Sequence, residues 1–333
     1  MAEIFDCTLT NRHGCSMRVT NFGGRVMSLF VPDRNGLLGD VVLGYDTPEG
    51  YANGNPYFGS LIGRFGNRLA KGKFSLDGKD YRLPTNNQGN CLHGGPIGFH
   101  NAVWEVLHQS NNEIQLQYQS PNGEAGFPGN LLCQVMYQLT EANELKIDYH
   151  ATTDAPTVVN LTHHSFFNLK GEGDILNHQL MIDANQFCPV DETLVPLGQL
   201  QLVRNTPFDF TELTEIGSRI NQDDIQLRVG NGYDHCWVLN KDHALSLAAL
   251  AYEPMSGRTM EVWTTEPGLQ FYSGNFLNGK EGGKQGQQYA FRSGFCLEAQ
   301  HFPDSPNHPN FPSTVLRPGE TYHQQTIYKF GIY

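Results

Sequence analysis

The chain has 333 residues, 39% of them hydrophobic, with a net charge of −12, and its 36 glycines and 18 prolines favour turns over long helices. Such an acidic chain lacks the basic surface that a nucleic-acid-binding protein needs to displace counterions from phosphates. Because no stretch approaches the roughly 20 apolar residues of a membrane span, and the N-terminal residues lack a basic, apolar leader, we expect neither a membrane segment nor a signal peptide.

Short apolar segments alternate with turn-forming residues in the first third of the chain. Apolar residues recur over 17–22, 26–31 and 41–43, and the segments between them contain Asn, Asp, Gly and Pro. We predict a strand at each of the three. An Asp-Gly pair between two alternating segments favours a two-residue turn, so Asp77-Gly78 predicts a β-hairpin.

Two-residue periodicity then recurs to the end of the chain. The predicted strands span residues 104–106, 114–118, 131–139, 145–150, 157–169, 179–184, 235–239, 245–252, 259–265, 269–272, 295–299 and 321–330. Residues 211–219 are the best candidate for a short helix. Many short strands without a linker or a change in composition predict an all-β fold, a sandwich or barrel of antiparallel strands, with residues 1–333 as a single domain.

The seven cysteines are scattered between Cys7 and Cys296 and include no Cys-x-x-Cys pair. An odd number without paired spacing is typical of reduced thiols, and it argues against a disulfide framework or a zinc ribbon. We therefore expect a cytoplasmic protein.

Two adjacent histidines, His163 and His164, lie in the predicted strand over 157–169. Successive side chains on a strand point to opposite faces, so only one of the two can face a given cleft. An imidazole titrates near neutral pH and can give or take a proton there. Taken alone, the stretch is explained as well by a core histidine that bonds to backbone groups.

Glu298 lies in the segment Phe295–Gln300, which has the pattern of a strand. Phe295, Leu297 and Ala299 would share one face, and Cys296, Glu298 and Gln300 the other. Burying a carboxylate without partners is costly. Glu298 therefore needs either an ionic partner or a catalytic role, and a carboxylate with a shifted pKa in a cleft is a candidate for the latter.

Six segments, in this order, resemble the aldose 1-epimerase (galactose mutarotase) family along essentially the whole chain: Gly63–Arg68, Leu92–Gly95, Asn160–Leu169, Gly232–His235, Pro267–Asn275 and Leu297–Asn307. Each segment alone is explained equally well as a turn or a structural strand, and their combination and order make the match specific. The resemblance implies a large twisted antiparallel β-sandwich, a sugar site in an open cleft and no cofactor.

The resemblance also implies roles for individual residues. Glu298 would be the general base and His164 the general acid, and the sugar would be held by Asn67, Arg68, His93, Asp234 and Gln270. The chain departs from the family in having His163 where an asparagine is usual and Phe166 where a tyrosine is usual. This departure leaves open which of the two histidines faces the cleft. The spacing to Phe167-Asn168-Leu169 favours His164.

Three other functions compete with epimerisation of an aldose. A lectin-like sandwich would bind sugars with the same polar side chains but would need no acid–base pair. A metal-dependent hydrolase would use His93, His164 and Asp234, but no His-x-x-x-His or cysteine cluster supports a metal site. A glycosidase would normally use two carboxylates. The sequence leaves open the preferred aldose and whether the chain is a monomer or a homodimer.

Overall fold

The computed structural model describes residues 3–54, 57–240, 244–280 and 282–333. Helices are few and short among these residues: α1 spans Gly50–Asn53 and α2 spans Ile225–Gly230. The strands of the described residues are β1 Asp6–Thr10, β2 Ser16–Thr20, β3 Arg25–Pro32, β4 Leu38–Asp40, β5 Ser60–Ile62, β6 Arg68–Leu69, β7 Lys73–Leu76, β8 Lys79–Arg82, β9 Cys91–Leu92, β10 Glu105–Gln109, β11 Glu113–Ser120, β12 Leu131–Leu139, β13 Glu144–Thr153, β14 Thr157–Val158, β15 Thr162–His164, β16 Gln179–Ile182, β17 Ala184–Cys188, β18 Gln201–Leu202, β19 Thr214–Glu215, β20 Asp234–Leu239, β21 Ser246–Tyr252, β22 Arg258–Thr264, β23 Gly268–Tyr272, β24 Cys296–Gln300, β25 Val315–Leu316 and β26 Tyr322–Ile332.

Three sheets dominate the fold. The largest has nine strands in the order β10-β11-β12-β13-β26-β22-β21-β16-β19, a second has the order β18-β17-β20-β23-β24, and a third joins β1 to β4 in sequence. Two-stranded ladders join β14 to β25, β15 to β5, β6 to β9 and β7 to β8. Among the described residues every strand pairs with its neighbours in antiparallel fashion, so the predicted all-β antiparallel fold is confirmed.

The nine-stranded sheet packs face to face on the two smaller sheets. One hydrophobic cluster contains buried side chains from all three of them. Two tyrosines cross the interface: Tyr328 Oη donates to the carbonyl of Leu297 in the five-stranded sheet at 2.8 Å, and Tyr137 Oη donates to the carbonyl of Gly24 beside the four-stranded sheet at 2.6 Å. The predicted β-sandwich is therefore the observed architecture.

Strand β12 shows why the periodicity was informative. Its side chains alternate between the core and a more exposed face, with Leu131, Cys133, Tyr137 and Leu139 fully buried. A sheet with one face on the core and the other toward water produces this alternation. The predicted bounds 131–139 are those of the strand, and the Asp77-Gly78 hairpin between β7 and β8 is likewise confirmed.

The prediction of a helix over 211–219 is wrong. Thr214 and Glu215 form β19, which pairs with β16, and only a single 3₁₀ turn, Ile216–Ser218, follows it. The apolar spacing there reflects pairing with a sheet edge. The true helix α2 begins at Ile225 and is preceded by Asp224, whose side chain accepts a bond from the Gln226 backbone N–H, an N-terminal cap that the sequence analysis overlooked.

The predicted strand at 41–43 is also displaced. The chain pairs with β3 slightly earlier, over Leu38–Asp40, and Val42 makes only an isolated bridge to Phe167. No helix of the described residues combines the length and the apolar character required to cross a bilayer.

Arg64 anchors the Gly63–Arg68 segment to a neighbouring loop. Its guanidinium, buried in the protein, donates to the carbonyls of Pro128 and Gly129 at 2.8 Å each and to the carbonyl and hydroxyl of Ser120. Burial lowers the pKa of Arg64 to about 10, so the group is still charged at neutral pH. Of the two arginines in this segment, Arg64 therefore has a structural role.

We expect Arg64→Met to lower the free energy of unfolding by about 3 kcal/mol or more, because several buried acceptors would lose their donor. Urea denaturation followed by circular dichroism measures the effect. Arg317→Met is the matched control, since Arg317 pairs with Asp77 on the exposed surface and its loss should leave the denaturation midpoint nearly unchanged. Equal midpoints for the two variants would contradict the structural role of Arg64.

Candidate active site

The five-stranded sheet places several polar side chains of β20, β23 and β24 on one face. Directly opposed residues of neighbouring antiparallel strands share a face. One such row runs from Cys236 on β20 to Gln270 on β23 and Glu298 on β24. The next row contains Asp234, Tyr272 and Cys296. The opposite face, with Leu269, Phe271, Leu297 and Ala299, belongs to the hydrophobic core.

Strand β15 brings His164 to the polar face of this sheet. His164 Nε2 lies 3.7 Å from Glu298 Oε1, and both side chains are buried. His163 points the other way, into the core, where its ring meets that of Tyr137 at 5.7 Å between centroids. The two histidines therefore occupy opposite faces of the strand as predicted, and the structure places His164, not His163, beside Glu298.

The His164 ring is held on three sides. It stacks on Tyr57 on one side and on Phe166 on the other, at centroid distances of 5.7 Å and 5.0 Å. Its Nδ1 lies 3.4 Å from the thiol sulfur of Cys296. Strand β5 pairs with β15, and Gly59 N–H donates to the His164 carbonyl, which keeps the turn carrying Tyr57 next to the ring.

His93 follows β9 in a turn that leads into Gly94-Gly95. Its backbone has a left-handed φ of 53°, and a side chain at Gly94 would meet the carbonyl oxygen of Gly63 at 2.1 Å. Asn67 N–H donates to His93 Nδ1 at 3.1 Å. Because Nδ1 is an acceptor, the neutral ring carries its proton on Nε2 and is a hydrogen-bond donor at that nitrogen.

Arg68 and Asp234 face one another across the cleft wall. Their side chains are 3.8 Å apart, and both are largely buried. Arg68 Nε also donates to Asn87 Oδ1 at 3.1 Å, and Gln270 Nε2 donates to Asp234 Oδ1 at 2.7 Å. These bonds fix the orientation of the guanidinium and of the carboxylate relative to each other.

These side chains surround a cleft of about 270 Å³. It is lined by Tyr57, Asn67, Arg68, Asn87, Leu92, His93, His164, Phe166, Asp234, Tyr272, Phe276 and Glu298. A larger cavity, about 440 Å³, lies between residues 168–174 and 287–293, but its lining contains no histidine. The smaller cleft combines an imidazole, a carboxylate and several hydrogen-bonding side chains, so it is the candidate active site.

Burial shifts the pKa values of the two central groups in opposite directions. The pKa of Glu298 is raised well above its usual value, mainly by burial and further by the charge of Asp234. Burial lowers the pKa of His164 to about 4. Both groups are therefore driven toward their neutral forms, the protonated carboxyl of Glu298 and the uncharged imidazole of His164.

His93, His164 and Glu298 also lie close enough to suggest a metal site, with one potential ligand atom of each within 4.8 Å of the others. However, the Nδ1 lone pair of His93 is already occupied by the Asn67 N–H. A metal at Nε2 would require the other tautomer, which would direct an N–H of the ring at that backbone N–H. The tautomer of His93 argues against a metal and suits a ligand with acceptor oxygens.

Residues of the six segments that lie outside the cleft hold it in place. Asn160 Nδ2 donates to the carbonyl of Gly66, and its Oδ1 accepts from the His301 N–H, which ties β15 to the chain before Arg68 and the chain after Glu298. Asp304 Oδ1 accepts from the Ala70 N–H. These bonds explain why polar residues of the segments are buried away from the cleft.

Comparison with known proteins identifies the family. The aldose 1-epimerase family model matches residues 6–329. Galactose mutarotase of Bos taurus is 44% identical over 316 residues, covering 94% of this chain and 90% of that protein. The chain belongs to the aldose 1-epimerase family. Aldose 1-epimerase of Escherichia coli K12 is 39% identical over 327 residues, covering 97% and 94%. The crystal structure of an aldose epimerase homologue from C. elegans superposes with a TM-score of 0.93 at 29% identity, covering 99% of each chain.

In this member of the aldose 1-epimerase family, most of the side chains that the sequence analysis assigned to the site lie in one cleft. The cleft wall contains Asn67, Arg68, His93, His164, Asp234 and Glu298. Gln270 lies behind Asp234 and does not line the cleft. Its assignment as a sugar-holding residue stays a prediction, and its observed contact is the bond that orients Asp234.

Four cleft residues were missed by the sequence analysis: Tyr57, Asn87, Tyr272 and Phe276. Tyr272 lies within the resembling segment 267–275, so its position as the partner of Cys296 across β23 and β24 could have been deduced from the strand pattern. Tyr57, Asn87 and Phe276 come from loops. Their sequence neighbourhood carries no periodic signal that would place them.

Proposed function

We propose that the cleft catalyses the interconversion of the α and β anomers of aldohexoses such as D-glucose and D-galactose, with Glu298 as general base and His164 as general acid. The observation that carries this proposal is the 3.7 Å separation of His164 Nε2 and Glu298 Oε1 at the base of a cleft whose walls are hydrogen-bonding side chains. Family membership supports the same activity.

Anomerisation needs two proton transfers to open the ring, one bond rotation, and two further proton transfers to close it. The carboxylate of Glu298 takes the proton of the C1 hydroxyl while His164 Nε2 gives a proton to the ring oxygen, so the C1–ring-oxygen bond breaks and C1 becomes an aldehyde. Rotation about C1–C2 exposes the other face of the carbonyl. The ring oxygen then attacks C1 and returns its proton to His164, and Glu298 gives its proton to the C1 oxygen. Each positioned proton donor or acceptor is worth roughly 10²–10⁴ in rate.

The reaction starts from the charged form of the pair. In the empty cleft, burial favours the neutral pair with the proton on Glu298, and transfer of that proton to His164, whose Nε2 lies 3.7 Å from Glu298 Oε1, gives the carboxylate and imidazolium. The two forms differ only in the position of one proton, so the cleft need not exchange a proton with solvent between turnovers.

The remaining sugar hydroxyls require firm contacts, since C1 itself must be free to rotate. His93 Nε2–H and the Arg68 guanidinium are donors, and the carboxylate of Asp234 is an acceptor. Asn67 Oδ1 accepts from the Arg68 backbone N–H at 2.9 Å, which leaves the Asn67 amide nitrogen as a further donor. We propose that Asn67, Arg68, His93 and Asp234 hold the sugar, and that Gln270 acts through Asp234.

The decisive experiment is polarimetry of freshly dissolved α-D-glucose or α-D-galactose, corrected for the spontaneous reaction. We expect the rotation to approach equilibrium faster in proportion to enzyme concentration. A lectin of the same fold would bind sugar without accelerating the change. A glycosidase would release a reducing sugar from an aryl glycoside, which we expect this protein not to do. Sugar binding with an unchanged rotation rate would refute the proposal.

The shifted pKa values predict an unusual pH profile. The pair carries one proton from about pH 4, where His164 titrates, up to the raised pKa of Glu298. Below about pH 4 both groups are protonated and no base is left, and above the Glu298 pKa no acid is left. We expect kcat/KM to be flat between these limits and to fall on both sides, as measured by polarimetry with circular dichroism as a folding control. A single rise centred near pH 6.5 would contradict this assignment.

We further propose that residues 1–333 form a single domain that works in the cytoplasm. One hydrophobic cluster joins all three main sheets, which supports a single folding unit. All seven cysteines are buried free thiols, which suits a reducing compartment. Size-exclusion chromatography with light scattering will decide between a monomer and a homodimer.

A further inference from the structure

Cys296 is the contact of His164 that the proposed reaction does not use. The thiol is fully buried and lies 3.4 Å from Nδ1, the ring nitrogen that faces away from Glu298. Cys296 is two residues from Glu298 on β24, so both side chains emerge on the same face of the strand.

The hydrogen-bond partner of one imidazole nitrogen determines whether the other nitrogen carries a proton. In the neutral form with a proton on Nε2, Nδ1 has a lone pair that can accept from the thiol S–H. In the imidazolium, and in the neutral form with the proton on Nδ1, the Nδ1–H can donate to sulfur. A thiol is a weak donor and a weak acceptor, so it can serve every protonation state without strongly favouring one.

The thiol is also kept in its protonated form. Burial raises the pKa of Cys296 well above its usual value, and the charges of Glu298 and Asp234 raise it further. The other titratable side chains that face the His164 ring are Tyr57, Tyr272 and His93, and these contact it through their rings. Tyr57 and Phe166 restrict tilting of the ring, but a stack alone does not prevent the ring from turning within its own plane.

We propose that Cys296 is a positioning residue for His164: its thiol holds Nδ1 so that Nε2 stays directed at the reacting proton while the imidazole alternates between giving and taking it. This inference rests on the proposed acid–base function of His164. The thiol takes part in no covalent or redox step. Cys296 does not contact the sugar, because it lies behind the ring of His164.

Three variants test the proposal in the polarimetric assay. We expect Cys296→Ala to lower kcat about tenfold while KM changes less than twofold, because sugar contacts are intact and only the orientation of the acid is lost. Cys296→Ser keeps a donor and an acceptor, so it should recover kcat to within about threefold of wild type. Cys188→Ala is the control for the loss of a buried sulfur in the same sheet, and it should leave kcat unchanged.

A double-mutant cycle separates positioning from packing. Asparagine at position 164 lacks the acid nitrogen Nε2, so the thiol has no proton donor to orient, and in a His164→Asn background Cys296→Ala should cause no further loss of rate. A role in packing would instead lower the rate by the same factor in both backgrounds. Full activity of Cys296→Ala, or equal losses in the two backgrounds, would overturn the proposal. A wild-type protein without mutarotase activity would instead refute the proposed function itself.

Discussion

Glu298→Gln is expected to lower kcat for mutarotation by about two orders of magnitude or more, because the substituted amide cannot take the proton of the C1 hydroxyl. Glutamine has nearly the shape of glutamic acid, which is the form that burial favours in the empty cleft. The variant should therefore fold and bind sugar normally. Initial polarimetric rates with α-D-galactose, at several enzyme concentrations, measure the loss.

Binding is the control for this variant. A sugar analogue without the anomeric hydroxyl, such as 1,5-anhydro-D-galactitol, can occupy the cleft but cannot react. We expect wild type and Glu298→Gln to bind it with dissociation constants within about fivefold, measured by calorimetry, because a single altered hydrogen bond to a neutral group is worth roughly 1 kcal/mol or less. A rate near that of wild type, with binding intact, would show that Glu298 is not the base.

His164→Asn should cause a loss of similar size, about two orders of magnitude or more in kcat, since the ring oxygen would lose its proton donor. The neighbouring histidine provides a matched control. His163 is the adjacent residue of the same strand, but it faces Tyr137 in the core. We expect His163→Asn to change kcat only mildly when the rate is expressed per folded molecule.

Together, the two histidine variants test which of the two imidazoles faces the cleft. Both imidazoles are buried, so both substitutions can lower stability, and urea denaturation of each variant allows rates to be compared under conditions where both are folded. A collapse of kcat in His163→Asn with little change in His164→Asn would mean that the wrong histidine has been assigned as the acid.

Local periodicity was sufficient to predict the longest strands and the division of their side chains between the two faces. Cys296 and Glu298 were separated from Leu297 and Ala299 by alternation alone, and the structure puts Glu298 in the cleft wall, Cys296 behind His164, and Leu297 and Ala299 in the core. Alternation is a property of the backbone, so it holds whatever the strand packs against. It failed at 211–219, because apolar residues at a sheet edge can mimic the spacing of a helix.

The composition of the cleft could not be predicted in the same way. Residues from three distant loops, represented by Tyr57, Asn87 and Phe276, meet only because the sheets pack as they do. Alternation also could not show which face of β24 meets the cleft, since every residue of β24 is buried and the sequence pattern does not say which face is covered by protein and which by a cleft. The resemblance to a family supplied the pairing of His164 with Glu298.

The pairing of β23 with β24 has a consequence for how this chain can vary. Gln270 opposes Glu298, and Tyr272 opposes Cys296. Inserting or deleting one residue within β24 would turn every side chain beyond that point to the other side of the sheet. Leu297 and Ala299 would then face the cleft, and Glu298 would point into the hydrophobic core. A one-residue shift of register inside β24 should therefore abolish folding and turnover together.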